Sequence, residues 1–212
     1  MTSSTKTLAA APPIVANLRA SALLALPFQV GSVALALVLG ALGAEVEFPL
    51  TFMLIVVYWV PLFVELVFRT RMPWPLQVSY LSFIAAGSFA GSALHVYWYF
   101  PLWDVIVHFY SGVMLAWLGL FLARVAEEQT GSPLPRWFTL TVVQLTPMAF
   151  AAAWEICEFA SDIIIGTASQ HGLSDSMTDI IAGTFGGLFA IILLLLTRRP
   201  RTLAPASLLT RR

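Results

Sequence analysis

Six long blocks of apolar residues, separated by short polar or charged stretches, dominate this chain: Ser21–Gly43, Phe48–Phe68, Leu76–Tyr97, Trp103–Ala123, Trp137–Asp162 and Ser176–Thr197. A helix that crosses a bilayer needs ~20 mostly apolar residues, each rising about 1.5 Å. Every block meets that requirement, and together they are too long and too numerous for a water-soluble fold. The pattern predicts an all-α integral membrane protein, a six-transmembrane-helix bundle. Short connections make neighbouring helices antiparallel. The expected organisation is a single membrane domain over 21–197, a tail over 1–20 and a basic tail over 198–212. The opening stretch has one lysine, a Pro12-Pro13 pair and no apolar run before Leu23, so it reads as a flexible tail rather than a signal peptide.

The cations orient this bundle. With six crossings, all eleven Lys and Arg fall on one side: Lys6, Arg19, Arg69, Arg71, Arg124, Arg136, Arg198, Arg199, Arg201, Arg211 and Arg212. Positive loops remain in the cytoplasm, so both termini are expected there. A wrong helix count would scatter the cations over both faces. At the opposite boundary Tyr97, Trp98, Tyr99, Phe100 and Trp103 cluster, as aromatic side chains do at the headgroup layer.

Composition sharpens the picture in three ways. Hydrophobic residues make up 59% of the chain and charged residues only 10%, against roughly 25% charged in a soluble domain. Most of the surface must therefore face something other than water. The net charge is zero, which removes any electrostatic case for nucleic acid. A single cysteine, Cys157, excludes an intramolecular disulfide and any Cys-based zinc site.

The acids are distributed opposite to the cations. Glu65, Glu127 and Glu128 lie toward the cytoplasmic side; Glu45, Glu47, Asp104, Glu155, Glu158, Asp162, Asp175 and Asp179 lie toward the outer side, with His95, His108 and His171. Asp104 and His108 are four residues apart at the start of the fourth helix. Glu155, Glu158 and Asp162 follow steps of three and four at the end of the fifth. Asp175 and Asp179 are four apart at the start of the sixth. Each set occupies one helical face, and all three fall at the same depth. Six carboxylates gathered in a low dielectric cannot all stay ionised unaided. They must share protons or hold a cation. Carboxylates with one imidazole suit a divalent ion such as Mg, Mn, Fe or Zn, which can activate water. The expected ligands are His108, Glu155, Glu158 and Asp179, with Asp104 orienting His108. Asp162 or Asp175 is the expected general base.

Structural alternatives accompany each of these residues. Asp175, Asp162 and Asp104 also suit solvated or capped helix ends. His108, Glu155, Glu158 and Asp179 lie at least a turn inside apolar helices, where ionisable groups are costly and usually functional, although a hydrogen-bonded structural network is the competing reading. His95 and His171 are either extra ligands or solvated loop residues. Glu65 is placed to pair with Arg69 one turn away. Gly87-Ser88 with Gly91-Ser92, and Gly183 with Gly186-Gly187, are small-residue steps that let helices approach closely. Pro61 and Pro147 are expected to kink their helices.

The strings Trp103-Asp104-x3-His108-Phe-x2-Gly112, Trp154-Glu155-x2-Glu158 and Asp175-x3-Asp179 resemble the YjdF-like family of bacterial inner-membrane proteins. The likeness spans Trp103 to Ala190. The segment Asp179 to Gly186 is also similar to a helix of VanZ-like membrane proteins, although those often have Gln where Glu158 stands and Asn where Gly183 stands. The resemblance implies a multi-pass inner-membrane protein and supports the site residues; it implies no particular reaction.

Three functions are open at this stage. One is a metal-dependent hydrolase or transferase acting on a lipid-linked or envelope substrate from the extracytoplasmic side. Another is a cation- or proton-coupled transporter with Glu65 as an inner relay. The last is a non-catalytic membrane scaffold whose acids are internally hydrogen-bonded. The partners expected in every case are the lipid bilayer and not nucleic acid.

Overall fold

The computed structural model describes residues 14–68, 71–164 and 166–196, with side chains from Arg19 onward. Its ordered elements are helices, and no strand occurs among the described residues. The helices are α1 (Ile14–Ala41), α2 (Phe48–Val57), α3 (Val60–Phe68), α4 (Trp74–Ile84), α5 (Val96–Tyr99), α6 (Leu102–Thr130), α7 (Arg136–Ile164) and α8 (Leu173–Leu196), with a π-helical segment, Ala85–Ala93, directly continuing α4. The first helix begins at Ile14, inside the stretch read as a tail; the rest of that tail, and the C-terminal tail, lie outside the described residues.

Among the described residues five stretches are long and apolar enough to cross a membrane: Arg19–Ala41, Phe48–Phe68, Leu102–Thr130, Arg136–Ile164 and Leu173–Leu196. The remaining expected block is the rod formed by α4 and the π segment. The surface is apolar. Leu23, Val30, Phe52, Val56, Val67, Ile156 and Phe185 are exposed, while Gln29, Ser32, Thr51, Gln77 and Ser176 are buried. Water does not tolerate so continuous an apolar exterior, and a bilayer requires one. The chain is a multi-pass helical membrane protein.

The break between α2 and α3 follows from Pro61. Proline has no N–H to return to the carbonyl four residues back, and that carbonyl, Val57, instead accepts the Tyr80 hydroxyl at 3.0 Å. The turn at Tyr58-Trp59 also sends the Trp59 N–H to Val56. The Ile55 carbonyl accepts the Gln29 side chain at 2.7 Å. Polar groups freed inside the membrane are thus met by neighbouring helices. Pro147 lies inside α7 without interrupting it.

Side-chain bonds fix the helix directions. Ser21 reaches Glu65 and Ser32 reaches Tyr58, so α1 runs antiparallel to α2–α3. The Trp103 indole donates to Ala86 and the Tyr110 hydroxyl to Ser79, which sets α6 antiparallel to α4. Arg19, Arg71, Arg124 and Arg136 consequently share one end of the molecule. In the C-terminal half α6, α7 and α8 pack most extensively on one another. Their closest approach is at glycine: a Cβ on Gly112 would overlap the Gly183 carbonyl, and one on Gly186 would overlap the Phe109 carbonyl.

Candidate functional site

The glycine crossing of α6 and α8 decides where the ionisable side chains meet. Asp104 stands in the first turn of α6 and His108 one turn later, while Asp179 stands in the second turn of α8. With the two backbones in contact at Gly112 and Gly183, His108 Nε2 lies 3.5 Å from Asp104 Oδ1 and 3.9 Å from Asp179 Oδ2. One ligand atom from each of the three residues fits within a 4.8 Å span. Asp179 is only 3% exposed. Helix α7 closes a further side. Its Glu155 is 6% exposed, and neither carboxylate oxygen has a hydrogen-bond partner among the described residues. Glu155 interacts electrostatically with His108, Glu158 and Asp179. Glu158, half-buried, accepts the Trp154 indole N–H at 2.8 Å.

His108 therefore faces carboxylates from three helices, and among the described residues no Lys or Arg lines the adjoining cavity. An isolated buried carboxylate is unstable in a low dielectric unless it is protonated, paired or bound to a cation. Asp104, His108 and Asp179 offer two carboxylate oxygens and one ring nitrogen, a donor set suited to a divalent ion of hard or borderline character.

The other sequence-predicted residues lie elsewhere. Asp162, in the last turn of α7, is occupied by the loop that follows: it accepts the Thr167 hydroxyl at 2.6 Å, the Ser169 N–H at 2.8 Å and the Gln170 N–H at 3.0 Å. That is an anchoring arrangement, which leaves little capacity for a general base. Asp175 faces His171 at 3.6 Å, and His95 faces Glu47 at 3.9 Å. Neither pair joins the three-residue cluster. Asp104, expected only to orient His108, has its own carboxylate within the cluster. Glu65, expected to pair with Arg69 (outside the described residues), is buried and accepts from Ser21, the Met72 N–H and the Gln77 amide.

Tyr97 is a residue that sequence reasoning assigned to the headgroup belt. His95 adopts a left-handed backbone at φ 58°, which ends the π segment and turns α5 back beneath it. The Tyr97 ring then lies where a side chain on Gly91 would stand, with its hydroxyl and Val107 beside Gly87, and the hydroxyl feels the negative field of Asp104, Glu158 and Asp179. The Gly87-x3-Gly91 step is thus the berth of an aromatic ring. Its spacing alone could not distinguish a ring from a neighbouring helix.

These groups form one end of a cavity of about 550 Å³, within the usual range for ligand sites. Tyr97, Asp104, His108, Ser111 and Glu158 line the polar end. Leu50, Val64, Met72, Leu76, Met114 and Leu118 are among the apolar residues lining the rest.

No curated protein and no solved structure matches this chain with significance. The YjdF-like resemblance is consistent with the family that does match, while the VanZ-like one finds no counterpart there. The chain belongs to the family described as "Predicted membrane protein (DUF2238)", which matches residues 24–200.

Proposed function

We propose that this chain crosses the bacterial plasma membrane six times, with both termini cytoplasmic, and holds a divalent cation at its extracytoplasmic end. Five apolar spans and the α4–π rod support the count. The shared end of Arg19, Arg71, Arg124 and Arg136 supports the orientation. The cation rests on Asp104, His108 and Asp179, with Glu155 and Glu158 supplying further negative potential. The observation that carries this reading is Glu155: a buried carboxylate without a hydrogen-bond partner among the described residues, beside three converging donor groups.

The proposed activity is hydrolysis or group transfer on a lipid or envelope substrate. A bound ion would polarise the substrate or a water molecule there. Glu158 is better placed than Asp162 or Asp175 to move a proton, because it lines the cavity with Asp104 and His108. The transporter reading is weaker. Among the described residues, apart from Tyr80, whose hydroxyl donates to Val57, the cavity lining away from the acidic end carries no ionisable side chain. A scaffold with internally satisfied acids does not account for Glu155.

Elemental analysis of the purified protein in detergent tests the reading. Stoichiometric Mg, Mn, Fe or Zn is expected in the parent, and Asp179→Asn should lose it while retaining a monodisperse, helical profile. Parent protein that neither carries nor binds any of these ions, or an unchanged content in Asp179→Asn, overturns it.

A further inference from the structure

The cavity joins two environments of opposite character. Along α6 its lining passes from Asp104, His108 and Ser111 to Met114, Leu115 and Leu118, roughly 21 Å of helix at 1.5 Å per residue. Only the first part is polar. The remainder faces Leu54, Val57, Val64, Met72, Leu76 and Phe83, a surface that stays dry and favours hydrocarbon. The walls come from both halves of the chain, which α6 joins by packing on α4 and on the π segment. Helices α2 and α3 lean on α1, and α2 also on the π segment, whereas α7 leans on α6 and α8. Val60 of α3 and Phe150 of α7 both line the cavity and are both exposed, at 38% and 52%. The cavity therefore has an apolar rim on the lipid-facing surface. A water-soluble substrate would gain nothing from such a rim or from the apolar depth beyond it.

We propose that the cavity binds one hydrocarbon chain of a membrane lipid, entering between α3 and α7, with an oxygen-donor headgroup held at the acidic end. This rests on the cation site proposed above. Three protein ligands leave coordination positions open, and a phosphate or ester oxygen of the lipid fills one of them. The chain lies past Ser111 toward Leu118 and Met72. Among the described residues the polar end has no Lys or Arg in its lining, so the headgroup is held through the cation rather than by a basic side chain.

The experiment uses the full chain in nanodiscs loaded with manganese. Three photoactivatable diazirine probes of equal length are compared: a long-chain alkyl phosphate, a fatty acid methyl ester and a plain alkane. Crosslinks are mapped by peptide mass spectrometry. The phosphate or the ester probe, or both, should label Met114, Leu115 and Leu118 in preference to the lipid-facing Val67 and Ile156, and the pattern identifies which oxygen donor is preferred. Val64→Trp, which fills the cavity, should reduce cavity labelling about tenfold, the effect of expelling roughly two methylenes, without changing manganese content. Leu118→Phe provides a smaller intrusion if the Trp variant does not fold. Val67→Trp, the same enlargement on the lipid-facing surface, should label like the parent. Asp179→Asn should lose manganese and headgroup discrimination, so that all three probes label the cavity alike. Labelling no stronger in the cavity than on the surface overturns the proposal, as does unchanged labelling in both cavity-filling variants. In either case retained manganese leaves the cation site standing. Cavity labelling that persists with no manganese bound to the parent instead removes the cation site and keeps the hydrocarbon pocket.

Discussion

Glu155 and Glu65 are both buried carboxylates, and they are treated in opposite ways. Glu65 accepts three hydrogen bonds, from Ser21, Met72 and Gln77. It ties the beginning of α1 to the segment joining α3 and α4. Replacing it with leucine strands the Met72 N–H and weakens the hold on Gln77, a loss of about 1–3 kcal/mol, measurable as a lower unfolding midpoint in detergent. Glu155 has no such partners among the described residues, so its contribution changes sign with the state of the site. Without a cation, its charge opposes the neighbouring Asp179 and Glu158; with one, it adds attraction on the order of a few kcal/mol at an effective dielectric near 20. Glu155→Gln should therefore raise the melting temperature in chelator and weaken manganese binding at least tenfold. Thermal melts with and without the ion check both halves. Equal melting temperatures and equal affinity in parent and variant would show that Glu155 is not coupled to the site.

At the scale of helices, the site depends on how closely α6 and α8 approach. Gly112 and Gly186 leave the opposing backbone no room for a side chain. Gly186→Val should force the helices apart, cost about 1–3 kcal/mol by overpacking, and separate His108 from Asp179 so that cation binding falls with stability. Gly31→Val, with open space around the position, should leave both unchanged. The small residues at 112, 183 and 186 were readable in the sequence, as were the five apolar spans and the shared depth of Asp104, His108, Glu155 and Asp179. Each rests on a local rule: run length, or a step of three or four. What stayed hidden depends on neighbours distant in the chain. Asp162 has the right spacing to continue the Glu155 stripe, yet the following loop folds back and consumes its carboxylate. Tyr97 lies among lipid-seeking aromatics, and only the reversal at His95 turns it inward. The passage from α-helix to π-helix at Ala85 has no signature beyond small residues, because the wider turn is stabilised by what packs against it.

For the molecule as a whole, the separation of charge between its two ends is the property on which the proposed function turns. Arg71, Arg124 and Arg136 lie where α3 ends, α4 begins, α6 ends and α7 begins; Asp104, Glu158 and Asp179 lie at the other end. If the arginine end is cytoplasmic, the cation and any lipid headgroup come from the outer leaflet. This is testable with single cysteines after Cys157, which is exposed on α7, has been replaced by serine. Ser132 follows α6 and Ser174 opens α8, both exposed, so they mark opposite ends. In intact cells a membrane-impermeant maleimide should label Ser174→Cys, whereas Ser132→Cys should react only after lysis. The reverse pattern would turn the acidic end toward the cytoplasm and make the inner leaflet its source of lipid. Labelling of both positions in intact, unleaky cells would mean that α7, the one span between them, does not cross the membrane, and would dismantle the six-crossing arrangement from which the orientation follows.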